Sequence, residues 1–264
     1  MKRYFIKLSY NGSNYQGWQS QPEKKSIQAE VRNALHLILK EEIVLTGAGR
    51  TDSGVHAQNY IAHFDSGSPG KKNTDDLVHK LNRFLPKDIL VHDIFEVPAE
   101  CHARFDAVSR TYHYLISRTK NPFLEDFALY VPQELDVEAM NKACSILMHH
   151  NDFASFSKLH GNNKTTICDL REAEWRWVNS DLLVFRITAD RFLRNMVRAI
   201  TGTMLRIGTH KIPVSELESI IIRRDRSAAG TSVAAKGLFL SEIRYKNIPL
   251  PENSYHLLNE SVFF

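Results

Sequence analysis

The sequence predicts an α+β fold of two ferredoxin-like β-α-β-β-α-β halves, with antiparallel sheets side by side and a cleft between them. Three observations lead there. The same order of strand and helix patterns occurs twice along the chain, with one extra helix the second time. The 264 residues suit two halves of roughly 130 residues. The composition, 43% hydrophobic and 24% charged, is that of an ordinary globular chain.

In the first half, residues 1–104, Arg3 to Tyr10 alternates as a strand with Tyr4, Ile6, Leu8 and Tyr10 on one face, ending at Asn11 and Gly12. Ile27, Val31, Ala34, Leu35 and Ile38 recur at helical spacing through Lys40. Ile43 to Leu45 reads as a short buried strand running into a glycine-rich loop, and Asn59 to Phe64 as the next strand. After the polar loop Ser66 to Asn73, Thr74 caps a helix carrying Leu77, Leu81, Phe84 and Leu85, and Pro86 stops it before the strand Ile89 to Val97.

The second half, residues 105–246, opens with a strand from Val108 through Ser117. A helix over Val137 to Met148 follows, with Met140, Cys144 and Leu147 on one side. Strands are predicted over Thr166 to Val178 and Leu182 to Ile187, a helix over Phe192 to Leu205, another helix after Pro213, and a closing strand over Leu238 to Tyr245. Residues 247–264 form a tail.

Lys and Arg total 34 against 30 Asp and Glu, a net charge of +4 that is too small to identify a partner. The halves are balanced as well: the first 132 residues hold 17 basic and 15 acidic side chains, leaving 17 and 15 for the rest. Cys101, Cys144 and Cys168 are odd in number and lack CxxC spacing, which argues for reduced thiols and against a disulfide frame or zinc site. Neither a membrane-length apolar run nor a signal-peptide core is present, so the sequence predicts a cytoplasmic protein.

Four segments carry chemistry. The first is GAGRTDSGVHA, residues 47–57, which presents Arg50, Thr51 and Asp52 from a turn rich in glycine. Its GxGxxxxG spacing, with no Lys after a glycine, disfavours a nucleotide cradle. Taken alone, an Asp in such a loop more often bonds its own backbone. The second is RFLRNMVRAITGTMLR, residues 191–206. On a helix, Phe192, Leu193, Met196, Val197, Ile200 and Met204 share one face and Arg191, Arg194 and Arg198 the other. From Arg186 to Lys211 six basic residues meet one acid, Asp190, a local balance of +5. Such a cluster is either a solvated helix face or a group of arginines awaiting an anion, with one turned inward beside an acid. The third, SRTYHYLIS at residues 109–117, puts Arg110, Tyr112 and Tyr114 on one side of a strand, where aromatic rings beside arginine stack an unpaired base or simply fill a half-buried face. The fourth, KGLFLSEIRY at residues 236–245, is a strand entered through the loop SAAGTSVAA.

Together these segments resemble the A-type tRNA pseudouridine synthases, isomerases that act on the anticodon stem-loop. GRTDSGVHA matches the signature loop of that family, FLRNMVRAI its arginine helix, SRTYHY its tyrosine strand and KGLFL its late strand. The resemblance runs from about Lys2 to Tyr245. Only the tail, Lys246 to Phe264, does not align.

The resemblance implies that uridines at positions 38 to 40 of tRNA become pseudouridine without a metal or redox cofactor. It gives Asp52 the catalytic carboxylate, by attack at C6 of the ring or at C1′ of the ribose. It makes Arg198 the cation beside that carboxylate, since a neighbouring cation favours the ionised form. Arg50 corresponds to the arginine that fills the space left by the flipped base, Tyr112 to the tyrosine that stacks on the base and removes the C5 proton, and Leu238 to an apolar contact with uracil. Arg191 and Arg194 are left for phosphates. Lys158, Lys164, the loop Gly161 to Thr165, Lys71 and Lys72 are further phosphate candidates. The implied partners are tRNA and a second copy of the chain; separately from the resemblance, the apolar tail end SVFF is expected to pack at the dimer contact. A non-catalytic RNA-binding module is the alternative, which leaves the GRTD loop without a purpose. A hydrolase of small phosphorylated substrates requires a metal cluster or phosphate cradle that the sequence lacks.

Overall fold

The computed structural model describes residues 1–67, 74–158, 165–246, 248, 250 and 251. Lys71, Lys72, Lys164, the loop stretch 161–164 and the tail end SVFF lie outside the described residues. The protein is a mixed α/β structure with five α-helices among those residues, none long and apolar enough to cross a membrane. It divides into two compact units: Met1–Val108 with the described chain from Leu240 onward, and Ser109–Phe239.

In the first unit, β1 (Lys2–Tyr10) is the central strand, antiparallel to β3 (His56–Ser66) on one side and β4 (Ile89–Val97) on the other. Tyr4, Ile6, Leu8 and Tyr10 are buried as their alternation predicts, but so are Phe5 and Lys7. Both faces of β1 are covered. Phe5 packs against Phe95 and Tyr245, with ring centroids 6.0 and 5.5 Å away. Helix α1 (Ile27–Leu39) starts where Ser26 accepts the Ala29 N–H, buries Ile27, Val31, Ala34 and Leu35, and stops at Lys40 in the left-handed region. Helix α2 (Thr74–Phe84) buries Leu77 and Leu81, whereas Phe84 is exposed. The short strand is displaced from its predicted place. Ile43 and Leu45 are buried, but the pairing is made by β2 (Thr46–Gly47) against His63 and Ala62. Strand β3 also starts earlier than predicted, at His56, because Ala57 already pairs with Tyr10.

In the second unit, β5 (Ala107–Ser117) pairs antiparallel with β8 (Leu182–Ala189), and β8 with β7 (Leu170–Trp177). The two-residue strand β6 (Leu129–Tyr130) runs parallel to the end of β5. Asp136 caps α3 (Val137–Met148), which lays Met140, Ala143, Cys144 and Leu147 into the core. Trp175 stacks on Phe185 across β7 and β8 at 4.6 Å. Helix α5 (Glu216–Arg223) follows Pro213 as predicted, and β9 (Leu238–Tyr245) closes the chain's regular structure. From Leu240 on, β9 belongs to the first unit, where Asn59 Nδ2 donates to Ser241 O at 2.8 Å.

The predicted arginine helix needs correction. Helix α4 is Met196–Gly208, not Phe192 to Leu205. Arg191 and Arg194 precede it and do not stack with Arg198 on one helical face. Asp190 Oδ1 accepts the Arg191 N–H at 2.7 Å, and Asn195 sits at the N-cap with φ 67°, a left-handed residue no helix passes through. Nor is α4 a solvated surface helix, since Ala199 to Met204 are all buried. Gly202 explains how. A Cβ there would lie 1.9 Å from Thr231 O, so only glycine admits the 229–233 segment against the helix. Gly230 N–H then donates to Thr203 Oγ1 at 2.8 Å.

Candidate active site

The first unit builds the turn that carries Asp52 from three directions. Before it, buried aromatic rings hold the chain. Trp18 stacks on Tyr60 at 4.1 Å, Tyr60 OH donates to Gly49 O, and Tyr10 OH bonds Thr51 Oγ1 at 2.9 Å. Beside it runs the segment after β1, whose Trp18 N–H donates to Thr51 O at 3.3 Å. Gly17 has φ +87°, and a Cβ there would lie 2.3 Å from Thr51 O. After it, Ser53 Oγ and Gly54 N–H both donate to Tyr15 O, at 3.1 and 3.3 Å, while Val55 N–H closes the turn on Asp52 O at 3.2 Å. Gly12 N–H donates to Nδ1 of the buried His56 at 3.1 Å.

The outcome is a fixed backbone with graded exposure. Thr51 is buried, Asp52 half-buried and Arg50 exposed. A carboxylate at the surface of a tight turn is thus set on a rigid base, with an exposed guanidinium two residues away.

The second unit gathers the remaining sequence candidates. Arg110 Nη1 donates to Asp190 O at 2.7 Å, and Asp190 Oδ1 accepts the N–H groups of Arg191 and Asp169, each at 2.7 Å. The ring of Phe192 meets Tyr112 edge-on, with centroids 5.2 Å apart and planes at 88°. Half-buried Tyr112 therefore lies beside the segment that carries Arg191 and Arg194. Arg194 is exposed, and its carbonyl accepts the Lys158 N–H at 3.1 Å.

Arg198, in the first turn of α4, is half-buried. Its Nε donates to Val233 O at 2.7 Å. The next carbonyl, Ala234 O, accepts Tyr114 OH at 2.8 Å. Burial pushes the Tyr114 phenol well above its ordinary value, opposed by the nearby Arg198 charge. A turn of 3₁₀ helix over Ala235–Gly237 then delivers Leu238, which is 6% exposed. Arg198, Tyr114 and the entry to Leu238 are joined through five residues of one segment.

The residues sequence reasoning missed are those that frame the Asp52 turn: Gly12, Tyr15, Gly17 and Trp18. Their signal was present in NGSNYQGW, residues 11–18, where glycine and aromatic residues crowd a stretch readable only as a turn.

The sequence model of the tRNA pseudouridine synthase family matches residues 7–106 and 143–246. The chain is 48% identical over 248 residues to tRNA pseudouridine synthase A of Parabacteroides distasonis, covering 93% of this chain and 96% of that protein. To the protein of the same name from Porphyromonas gingivalis it is 46% identical over 246 residues, covering 93% and 98%. To that from Bacteroides fragilis it is 46% identical over 246 residues, covering 93% and 97%. The first matched stretch holds the whole Asp52 turn and its brace, and the second holds α4 and Leu238. With nearly the full length matched at this identity, the chain belongs to the tRNA pseudouridine synthase family.

Proposed function

We propose that the protein isomerises uridine to pseudouridine in the anticodon stem-loop of tRNA, at positions 38 to 40. The observation that carries this is the intact GRTDSGVHA turn in a chain that matches tRNA pseudouridine synthases along almost its whole length.

The reaction breaks the N1–C1′ bond, turns the uracil, joins C5 to C1′, removes the C5 proton and returns a proton to N1. Asp52 supplies the carboxylate that attacks C6 of the ring or C1′ of the ribose. A turn fixed by backbone hydrogen bonds holds that carboxylate with little reorganisation, which is how orientation lowers a barrier. Arg198 matches the family's cation for that carboxylate, and the Val233 carbonyl aims its guanidinium. Arg50 is exposed, as suits a side chain that enters the space the base leaves. Tyr112, held edge-on by Phe192, stacks on the flipped base and takes the C5 proton. Leu238 packs against uracil. Arg191, Arg194 and Lys158, close together along the chain surface, meet phosphates.

The wider reading is a cytoplasmic homodimer that grips one tRNA, each chain built as two ferredoxin-like halves over residues 1–104 and 105–246. The β-α-β-β-α-β order of the first 97 residues supports the first half. Purified protein incubated with unmodified tRNA and no added cofactor is the test. Wild type forms pseudouridine, and Asp52→Ala forms none while still binding tRNA. Full conversion by Asp52→Ala overturns the role of that carboxylate.

A further inference from the structure

After Asp52, the Tyr15 carbonyl accepts both Ser53 Oγ and Gly54 N–H. What fixes Tyr15 therefore fixes the two residues that follow Asp52. Its N–H donates to Gly12 O at 3.0 Å. Its ring is buried, with the Lys25 ammonium 4.7 Å from the centroid. Its hydroxyl donates to Asp88 Oδ1 at 2.5 Å.

Asp88 is anchored in turn. It lies between α2 and β4, its carbonyl accepts the Asn11 N–H at 2.9 Å, and its second carboxylate oxygen accepts Asn14 Nδ2 at 3.4 Å. Burial and the Asp88 bond raise the Tyr15 phenol above its ordinary value, so it remains a donor throughout the neutral range. A buried phenol on a charged acceptor is a stronger tether than a neutral pair.

We propose that Asp88 and Tyr15 are positioning residues for the reaction: the carboxylate fixes the phenol, the phenol fixes the Tyr15 carbonyl, and that carbonyl fixes the backbone after Asp52. The path starts at Asp88, 36 positions from Asp52 in sequence, and reaches the reacting carboxylate through the backbone that follows it. The proposal rests on the reading of Asp52 as that carboxylate.

The test uses the full chain with Tyr15→Phe, Asp88→Ala and Asp88→Asn. Tyr15→Phe and Asp88→Ala are expected to lower kcat about tenfold, a fraction of an ångström's misplacement, with KM and tRNA Kd within about twofold of wild type. Asp88→Asn keeps an acceptor oxygen and is expected to recover most of the loss. Amide hydrogen exchange supplies a readout independent of activity. The Gly54 N–H exchanges faster in Tyr15→Phe and Asp88→Ala, while the Ala48 N–H, bonded to Ile61 O at 2.9 Å, keeps its rate. Unchanged kcat and unchanged Gly54 exchange overturn the proposal, as does a uniform rise in exchange at both amides, which marks plain destabilisation. If wild type forms no pseudouridine, the functional reading fails, and the Gly54 exchange still decides whether Asp88 holds the turn.

Discussion

Arg198 and Val233 are bonded twice: Arg198 Nε donates to Val233 O at 2.7 Å, and Val233 N–H donates back to Arg198 O at 3.2 Å. The guanidinium is thus aimed by a main-chain carbonyl that its own helix holds in place. Lysine has no counterpart to the Nε–H in that position and carries its charge on a flexible stem. Arg198→Lys is expected to fold normally by circular dichroism and to lose at least about a hundredfold in pseudouridine formation, measured on saturating tRNA.

Two glycines of the Asp52 region are expected to differ sharply in their tolerance of alanine. At Gly17 the backbone is left-handed and a Cβ would meet Thr51 O at 2.3 Å, so Gly17→Ala should cost roughly 2 kcal/mol or more and reduce activity. Gly49 has no neighbour within 4 Å of such a Cβ and an ordinary φ, so Gly49→Ala is expected to stay within about 0.5 kcal/mol of wild type. Urea unfolding of the two variants separates them.

Acid should weaken the fold before it titrates most carboxylates. His63 is held at about 4 rather than 6.5, chiefly by burial and then by the nearby His102 and Arg3, and its Nδ1 accepts the Ala103 N–H. His113 is also lowered to about 4, by burial and then by Arg186. The unfolded chain takes up these protons below 6.5 while the folded chain refuses them. Stability is therefore complete above pH 6.5 and falls as pH drops toward 4, by about 3 kcal/mol per histidine over the full range. Urea midpoints measured from pH 7.5 to 4.5 should decline, and His63→Asn, which retains an acceptor, should flatten the decline.

Arg191 and Arg194 are expected to act through phosphate. Each alanine substitution should weaken tRNA binding and lower the slope of log K against log salt by about one. Thermal stability should move little at exposed Arg194. Binding titrations at three salt concentrations check both statements.

Much of the fold was legible because period and caps agree. The helical spacing of Ile27, Val31, Ala34 and Leu35 locates α1, Thr74 and Pro86 bracket α2, and the alternation of Tyr4 to Tyr10 locates β1. The start of α4 was not legible, because Phe192, Leu193, Met196 and Val197 keep helical spacing across a break made by one left-handed residue, Asn195. Hydrophobic period cannot register a backbone reversal that leaves side chains on the same side. Of the proposed catalytic residues, Asp52, Arg198 and Tyr112 each stand out through a motif. The frame around Asp52 shows less, since NGSNYQGW reads only as a turn, and the contacts of Tyr15 and Trp18 with the 51–54 backbone are made by main-chain atoms, whose partners a residue pattern does not name.

The last strand gives the fold a schedule. Residues from Leu240 complete the unit that begins at Met1, and the whole of Ser109–Phe239 lies between them in the chain. During synthesis the amino-terminal unit leaves the ribosome with β3 still lacking β9 as its neighbour, an open sheet edge of the kind that invites wrong pairing. Final closure of that unit waits for β9, so a nascent chain arrested before Leu240 is expected to keep a protease-sensitive first unit that the later residues protect.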